Sequence, residues 1–160
     1  MRIGIFAIGR MKQGPERELA ARYLDRAIAS GKALGLTAFA VTEMSESRAG
    51  SAASRKSEEG KALGGVLPAS GVVVALDEHG KPIGSEDFAK KLGRWRDDGK
   101  PAVSFVIGGA DGLDPRLLQA ADLTLSFSPL TWPHQLVRIM LAEQLYRATT
   151  ILSGHPYHRE

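Results

Sequence analysis

The sequence predicts a parallel, layered α/β domain. Three observations predict it. Arg2–Ile8, Gly71–Leu76 and Ala102–Ile107 are almost continuously apolar, the pattern of strands buried on both faces of a parallel sheet. Segments with helical spacing of apolar residues separate these runs. The resulting order, β-α-β-α-β-α-β-α-β-α, requires crossovers that pack helices onto the sheet with right-handed connections. With 160 residues, 43% of them apolar, the chain can bury one ordinary core. Residues 1–160 therefore read as a single domain.

Arg2–Ile8 is the first strand. Its apolar run is too short to cross a bilayer or act as a secretory signal, so a cytoplasmic protein is expected. Gly9–Gly14 is a turn carrying Arg10 and Lys12. Pro15 opens a helix, with Glu16 and Glu18 placed where acids complement the helix dipole. Leu19, Tyr23, Ala27 and Ile28 recur at helical spacing, and Gly31 or Gly35 ends the helix. Leu36–Thr42 is a second strand.

Glu43–Gly65 is polar, with little periodicity before Ala62 and Leu63, and reads as a mobile loop running into an exposed helix. Its Arg48, Arg55, Lys56 and Lys61 read as a solvated face balanced by Glu58 and Glu59. Gly71–Leu76 is the clearest buried strand. Asp77–Gly84 reads as a turn, with Gly80 and Pro82. Ser85 is the expected N-cap of the next helix, followed by Glu86 and Asp87. Phe88, Leu92 and Trp95 share its core face. The strand Ala102–Ile107 runs straight into Gly108-Gly109-Ala110-Asp111-Gly112, and Asp114-Pro115 then caps and opens a short helix.

Leu123–Ser128 alternates as a strand, and Pro129–His134 is a loop with two prolines. Gln135 to about Ile151 is amphipathic, and Gly154 stops it as a left-handed cap. The last six residues, His155-Pro156-Tyr157-His158-Arg159-Glu160, hold two His, a Tyr and an Arg. Termini are usually small and polar; this one has the composition of a site.

Composition excludes several chemistries. With no cysteine, neither a disulfide framework nor a thiolate metal site is possible. His155 and His158 lack a third partner for a metal, so none is expected. A net charge of +3 permits an anionic partner without demanding one. In open α/β sheets ligands sit at strand carboxyl ends, here Leu76–Asp77, Gly108–Gly109 and Phe127–Trp132. The glycine turn matches neither a dinucleotide fingerprint nor a P-loop. A cofactor held by backbone groups and apolar walls is expected instead.

Four motifs in order, Ile107–Leu113, Leu130–Arg138, Glu143–Ala148 and the terminal His155–Glu160, resemble the RlmH family, a bacterial branch of the SPOUT-class RNA methyltransferases. The resemblance covers essentially the whole chain. It implies a C-terminal trefoil knot, a homodimer, and S-adenosylmethionine as methyl donor. It also implies N3 methylation of a pseudouridine in 23S ribosomal RNA, within the assembled ribosome. Carried over by position, the cofactor contacts are Leu76, Gly109, Phe127, Ser128, Pro129, Leu130, Thr131 and Trp132. The family commonly has Pro-Glu at Ala110-Asp111, and a small residue and Leu or Phe at Pro129 and Trp132.

The residues suit that chemistry. Methyl transfer from a sulfonium needs positioning and a deprotonated nucleophile, without metal or phosphate loop. Histidine can take a proton and arginine can stabilise an anion. His158, Arg159, Tyr157 and Arg147 are the expected catalytic groups. Arg138 and Arg147 are expected to share a helix face, with Glu143 paired to Arg147. Leu136, Ile139, Met140, Leu145 and Tyr146 form a second apolar stripe, expected at a dimer interface. The rival reading is a non-catalytic ribosome- or RNA-associated binding module with the same fold.

Overall fold

A computed structural model describes residues 1–159. Its strands are β1 (Arg2–Ile8), β2 (Thr37–Met44), β3 (Val72–Pro82), β4 (Ala102–Ile107) and β5 (Leu123–Ser126). Its helices are α1 (Pro15–Gly31), α2 (Ala52–Val66), α3 (Ser85–Asp97), α4 (Pro115–Ala120) and α5 (His134–Ser153). The five strands form one parallel sheet in the order β2-β1-β4-β3-β5.

The apolar runs predicted as strands are buried on both faces because helices cover both. Ile3, Ile5 and Ala7 of β1, Val72, Val74 and Leu76 of β3, and Val103, Phe105 and Ile107 of β4 point one way. There they meet Ala27 of α1, Phe88 and Leu92 of α3, and Leu141, Leu145 and Ala148 of α5. Phe6, Ile8, Ala75 and Val106 point the other way, onto Leu63 of α2 and Leu113 before α4. Successive side chains of a strand alternate faces, so each central strand serves two cores.

Five expectations change, the last of them at Arg138. Glu43–Gly65 holds less loop than predicted: β2 runs to Met44, and α2 starts at Ala52. Ser51 is its N-cap, accepting from the Ser54 amide at 3.1 Å. The exposed helix was expected here, but the weak apolar periodicity before Ala62 concealed how early it starts.

Asp77–Gly84 is not a simple turn. The β3 strand resumes after an outward bulge, since Leu76 and Lys81 both pair with Leu125. Gly80 permits the return, because a Cβ there would lie 2.7 Å from the Leu125 carbonyl carbon. Ser85 is not a cap; its hydroxyl donates to Gln144 Oε1 at 2.8 Å and joins α3 to α5. Leu145 is fully buried in the monomer core, so the second stripe of α5 reduces to Leu136, Ile139 and Met140, with Tyr146 half-buried. Asp114 and Gly154 are caps as predicted, the glycine at φ 69°.

The first turns of α5 are fixed by Arg138, which is 3% exposed. Its guanidinium donates to Glu43 Oε1 on β2 and to the carbonyls of Ile8 and Gly9 at the end of β1. The Met11 amide also donates to Glu43, at 2.9 Å. Arg138 and Arg147 do not share a face. Nine steps of about 100° put them on opposite sides of the helix, and Arg138 is structural. Removing one partner of a buried pair costs about 3–5 kcal/mol, because the other is left unpaired. Arg138→Met should therefore lower the melting temperature by roughly 10 °C for a domain of this size. Differential scanning calorimetry showing a change under 2 °C would contradict this role.

Candidate active site

The carboxyl ends of β3, β4 and β5 lie together because those strands are neighbours in the sheet. A cavity of about 840 Å³ opens there. Its walls are the β3 bulge (Leu76, Asp77, Glu78, His79), the turn Ile107–Leu113, and the run from Phe127 into α5. Apolar side chains of Leu118, Leu125 and Val137 complete it, with Lys56 from α2 at the side. Of the positions expected to contact a cofactor, Leu76, Gly109, Phe127, Ser128, Leu130, Thr131 and Trp132 line this cavity, and Pro129 does not.

The walls are pinned by named bonds. Thr131 donates to Glu78 Oε2 at 2.7 Å, joining the two sides of the mouth. Ser126 Oγ lies 3.0 Å from the carbonyls of both Glu78 and Ser128. The Leu130 amide donates to Ser128 Oγ at 2.9 Å. Asp77 was placed at a ligand-binding strand end, but Glu78 and His79 were missed from sequence because Asp77–Gly84 reads as an ordinary turn. The doubled pairing of Leu125 that pushes them outward is non-local, so no local signal marked them.

The glycine turn is held from behind by α2. Arg55 grips Asp111 through two bonds, Nε to Oδ2 at 2.6 Å and Nη2 to Oδ1 at 2.9 Å. The guanidinium holds the Asp111 carboxyl below the ordinary aspartate range. A Cβ on Gly60 would lie 2.5 Å from Asp114 Cβ, so α2 needs a glycine there to approach closely. A Cβ on Gly109 would meet Ile8 Cγ2 at 3.0 Å and Glu59 Oε2 at 3.2 Å. Close packing against β1 and α2 therefore leaves little room for a side chain at position 109. Glu59 is 6% exposed and accepts from the Ser47 amide at 2.9 Å. Arg55 and Glu59 are thus parts of the site's scaffold, not the solvated face read from composition.

The tail folds back onto its own α5. Tyr157 donates to Glu143 Oε1 at 3.1 Å, and its ring lies 4.6 Å from that of Tyr146. Arg147 donates to the same Glu143 oxygen at 3.0 and 2.5 Å and covers the Tyr157 ring at 4.9 Å. His158 Nδ1 lies 3.3 Å from Arg147 Nη1. Arginine only donates, so Nδ1 accepts and the neutral ring carries its proton on Nε2. Arg159 is exposed. Burial, then the charge and hydrogen bond of Glu143, push the Tyr157 phenol up to about 12.

Three of the four expected catalytic residues, Arg147, Tyr157 and His158, are therefore brought together, around Glu143. None of the four lines the cavity. Val137 on the cavity wall and Arg147 are ten residues apart, about 15 Å along the helix. A second groove of about 500 Å³ lies nearer, lined by Leu19, Tyr23, Ile83, Ile139, Met140 and Glu143 among others. Among the described residues, no His/Cys/Asp/Glu group could hold a metal ion, and no helix is long and apolar enough to cross a membrane.

Comparison with known proteins agrees with this architecture. The family model described as "Predicted SPOUT methyltransferase" matches residues 1–158. The chain is 58% identical over 159 residues to the ribosomal RNA large subunit methyltransferase H of Rhizobium etli (strain CFN 42). It is 55% identical over the same length to that of Bradyrhizobium diazoefficiens, with 99% of both chains covered in each comparison. A probable methyltransferase from Bordetella pertussis shares the fold, with a TM-score of 0.52 at 14% identity over 92% of this chain and 95% of that one. With its parallel sheet, its strand-end cavity and a family match from the first residue to His158, the chain belongs to the SPOUT methyltransferase family.

Proposed function

We propose that the chain is a single-domain, cytoplasmic S-adenosylmethionine-dependent methyltransferase acting on N3 of a pseudouridine in 23S ribosomal RNA of the assembled ribosome. The reading includes the family's C-terminal trefoil knot and a homodimer. The observation that carries it is the strand-end cavity, whose glycine turn and Phe127–Trp132 run occupy the positions carried over from the family. The names of the close relatives support the substrate class. The rival reading, a binding module with a degraded pocket, is disfavoured because the cavity is open and firmly braced.

The cavity fits the donor. Leu76, Ile107, Leu118, Leu125 and Phe127 offer apolar walls for a planar base. Asp77 and Glu78 place carboxylates beside them, which suits a cation. When bound, S-adenosylmethionine supplies an electrophilic methyl group. The chain's own tasks are to align the acceptor and manage its proton. The N3–H of the base is weakly acidic, so its proton must be accepted or the resulting anion stabilised. His158 is assigned the first task, through Nδ1 once that nitrogen exchanges Arg147 for the base, and Arg159 the second. Glu143 and Arg147 hold Tyr157 and His158 in place.

Within one chain the tail and the cavity are apart, and the half-exposed stripe of Leu136, Ile139 and Met140 supplies a surface for a second copy. The active site is then completed by the partner's tail. In a closed two-fold dimer two such sites form.

Calorimetry should show S-adenosylmethionine binding without added metal. Ala110→Trp fills the cavity from an exposed position and should weaken that binding by at least about 10-fold, one decade being the loss of 1.4 kcal/mol. Unchanged affinity would remove the pocket assignment. Deleting residues 157–160 should leave binding nearly intact but slow methyl transfer to ribosomes by about 10²-fold or more. His158→Ala should regain activity at high pH, where N3 ionises unaided, and Arg159→Ala should not. A tail-deleted protein of normal rate would overturn the catalytic role.

Mixing Ala110→Trp with the tail deletion tests the composite site. Restoration to about a quarter of the wild-type rate is expected if subunits pair at random and the tail acts across the interface. No restoration would place each site within one subunit.

The Tyr157 phenol ionises higher in the folded state than in the unfolded chain, where tyrosine titrates near its ordinary value of about 10. Its contribution to stability is therefore full below about pH 10 and is lost as pH rises toward 12. Ultraviolet titration of wild type against Tyr157→Phe should show the missing phenol titrating above pH 11; a component near 10 would contradict its burial against Glu143.

A further inference from the structure

Trp132 is a large apolar side chain left 39% exposed, next to Leu130 at 65%. Both line the mouth of the strand-end cavity. Their loop is anchored: Thr131 holds Glu78, Ser128 holds the Leu130 amide, and Pro133 leads directly into α5. The exposed indole therefore sits on a fixed mount. Apolar residues deeper in the cavity already wall it, so the indole is not needed to close it.

Its surroundings carry both signs: Lys56 lines the same cavity as Asp77, Glu78 and Asp111. An exposed aromatic face on a fixed mount suits a single-stranded nucleic acid, whose unpaired bases stack on it. A protein interface is the competing occupant, but interface cores are depleted in Lys. Of the stripe suited to a second copy, Ile139 and Met140 line the other groove, which Trp132 does not touch.

We propose that Trp132 is a substrate-positioning residue whose indole stacks on a nucleobase of the substrate RNA at the cavity mouth. This rests on the proposed RNA methyltransferase activity. The main-chain atoms of the Phe127–Trp132 run are left to the cofactor, and the indole faces the RNA.

The chain has two tryptophans. In a Trp95→Phe protein, Trp132 is the only one, and a single-stranded uridine oligonucleotide at low salt should quench its fluorescence. In steady-state assays on ribosomes from cells lacking the gene, Trp132→Ala should raise KM about 10-fold, within the range of one lost stacking contact. Trp132→Phe should restore it to within about threefold, since a phenyl ring still stacks. Calorimetric affinity of Trp132→Ala for S-adenosylmethionine should stay within about threefold of wild type. An equal loss of cofactor affinity would make Trp132 a cofactor wall and overturn the proposal. So would conversion of a dimer to a monomer in sedimentation, which would make it a contact between copies. An unchanged KM with no quenching would remove it outright. If wild type fails to methylate ribosomes, the activity reading falls, while the quenching measurement still decides whether Trp132 stacks on RNA.

Discussion

The buried guanidinium of Arg138 is the constraint on which the site depends. It joins three elements that are distant in sequence: the end of β1, the end of β2 and the start of α5. A buried charge is tolerated only when paired and hydrogen-bonded. The Ile8 and Gly9 carbonyls and the Glu43 carboxylate meet that demand at both Nη atoms, while the buried Nε has no partner among the described residues. They do so only if α5 starts at one place over the carboxyl end of the sheet. That placement fixes the Phe127–Pro133 run as a cavity wall. It also determines where, some 15 Å further along the helix, the tail will dock.

A second set of contacts works from the opposite face. Helix α2 fastens the glycine turn through Arg55 and Asp111, through Glu59 beside Gly109, and through the close approach of Gly60 to Asp114. The turn therefore cannot relax into the cavity. A preorganised turn can bind through its backbone without first losing conformational freedom. This is why a glycine-rich sequence, flexible in isolation, makes a firm wall here.

Much of this was legible in the sequence. The four buried segments at β1, β3, β4 and β5, the Asp114 cap, the Gly154 stop and the tail's site-like composition all carry local signals. What was not legible is non-local. Nothing near Asp77 announces that Leu125 pairs on both sides of a bulge. Nothing near Ser85 shows that Gln144 will take its hydroxyl in place of a helix amide. Glu59 looks like a surface acid because its burial is created by Gly109 and Ser47, which are remote or polar. Arg138 and Arg147 looked like neighbours by spacing, and the helical period separates them. Family resemblance supplied the cofactor positions, but it could not show that the tail rests on Glu143, away from the cavity.

The charge distribution bears on how so small a chain selects its substrate. A net charge of +3 is slight for an RNA-binding surface, and several arginines are already spent on internal pairs: Arg55, Arg116, Arg138 and Arg147 each hold a carboxylate. Phosphate contacts alone would give weak, salt-sensitive association. Selectivity under the proposed function then falls on contacts that charge does not supply, namely the fit of a folded RNA surface and the stacking of an unpaired base. An exposed indole on the wall of the braced strand-end cavity is the residue type such recognition requires. The same economy explains the tail. Under the proposed function the residues around Tyr157 and His158 can close the site over a bound base, provided that a second copy brings them across.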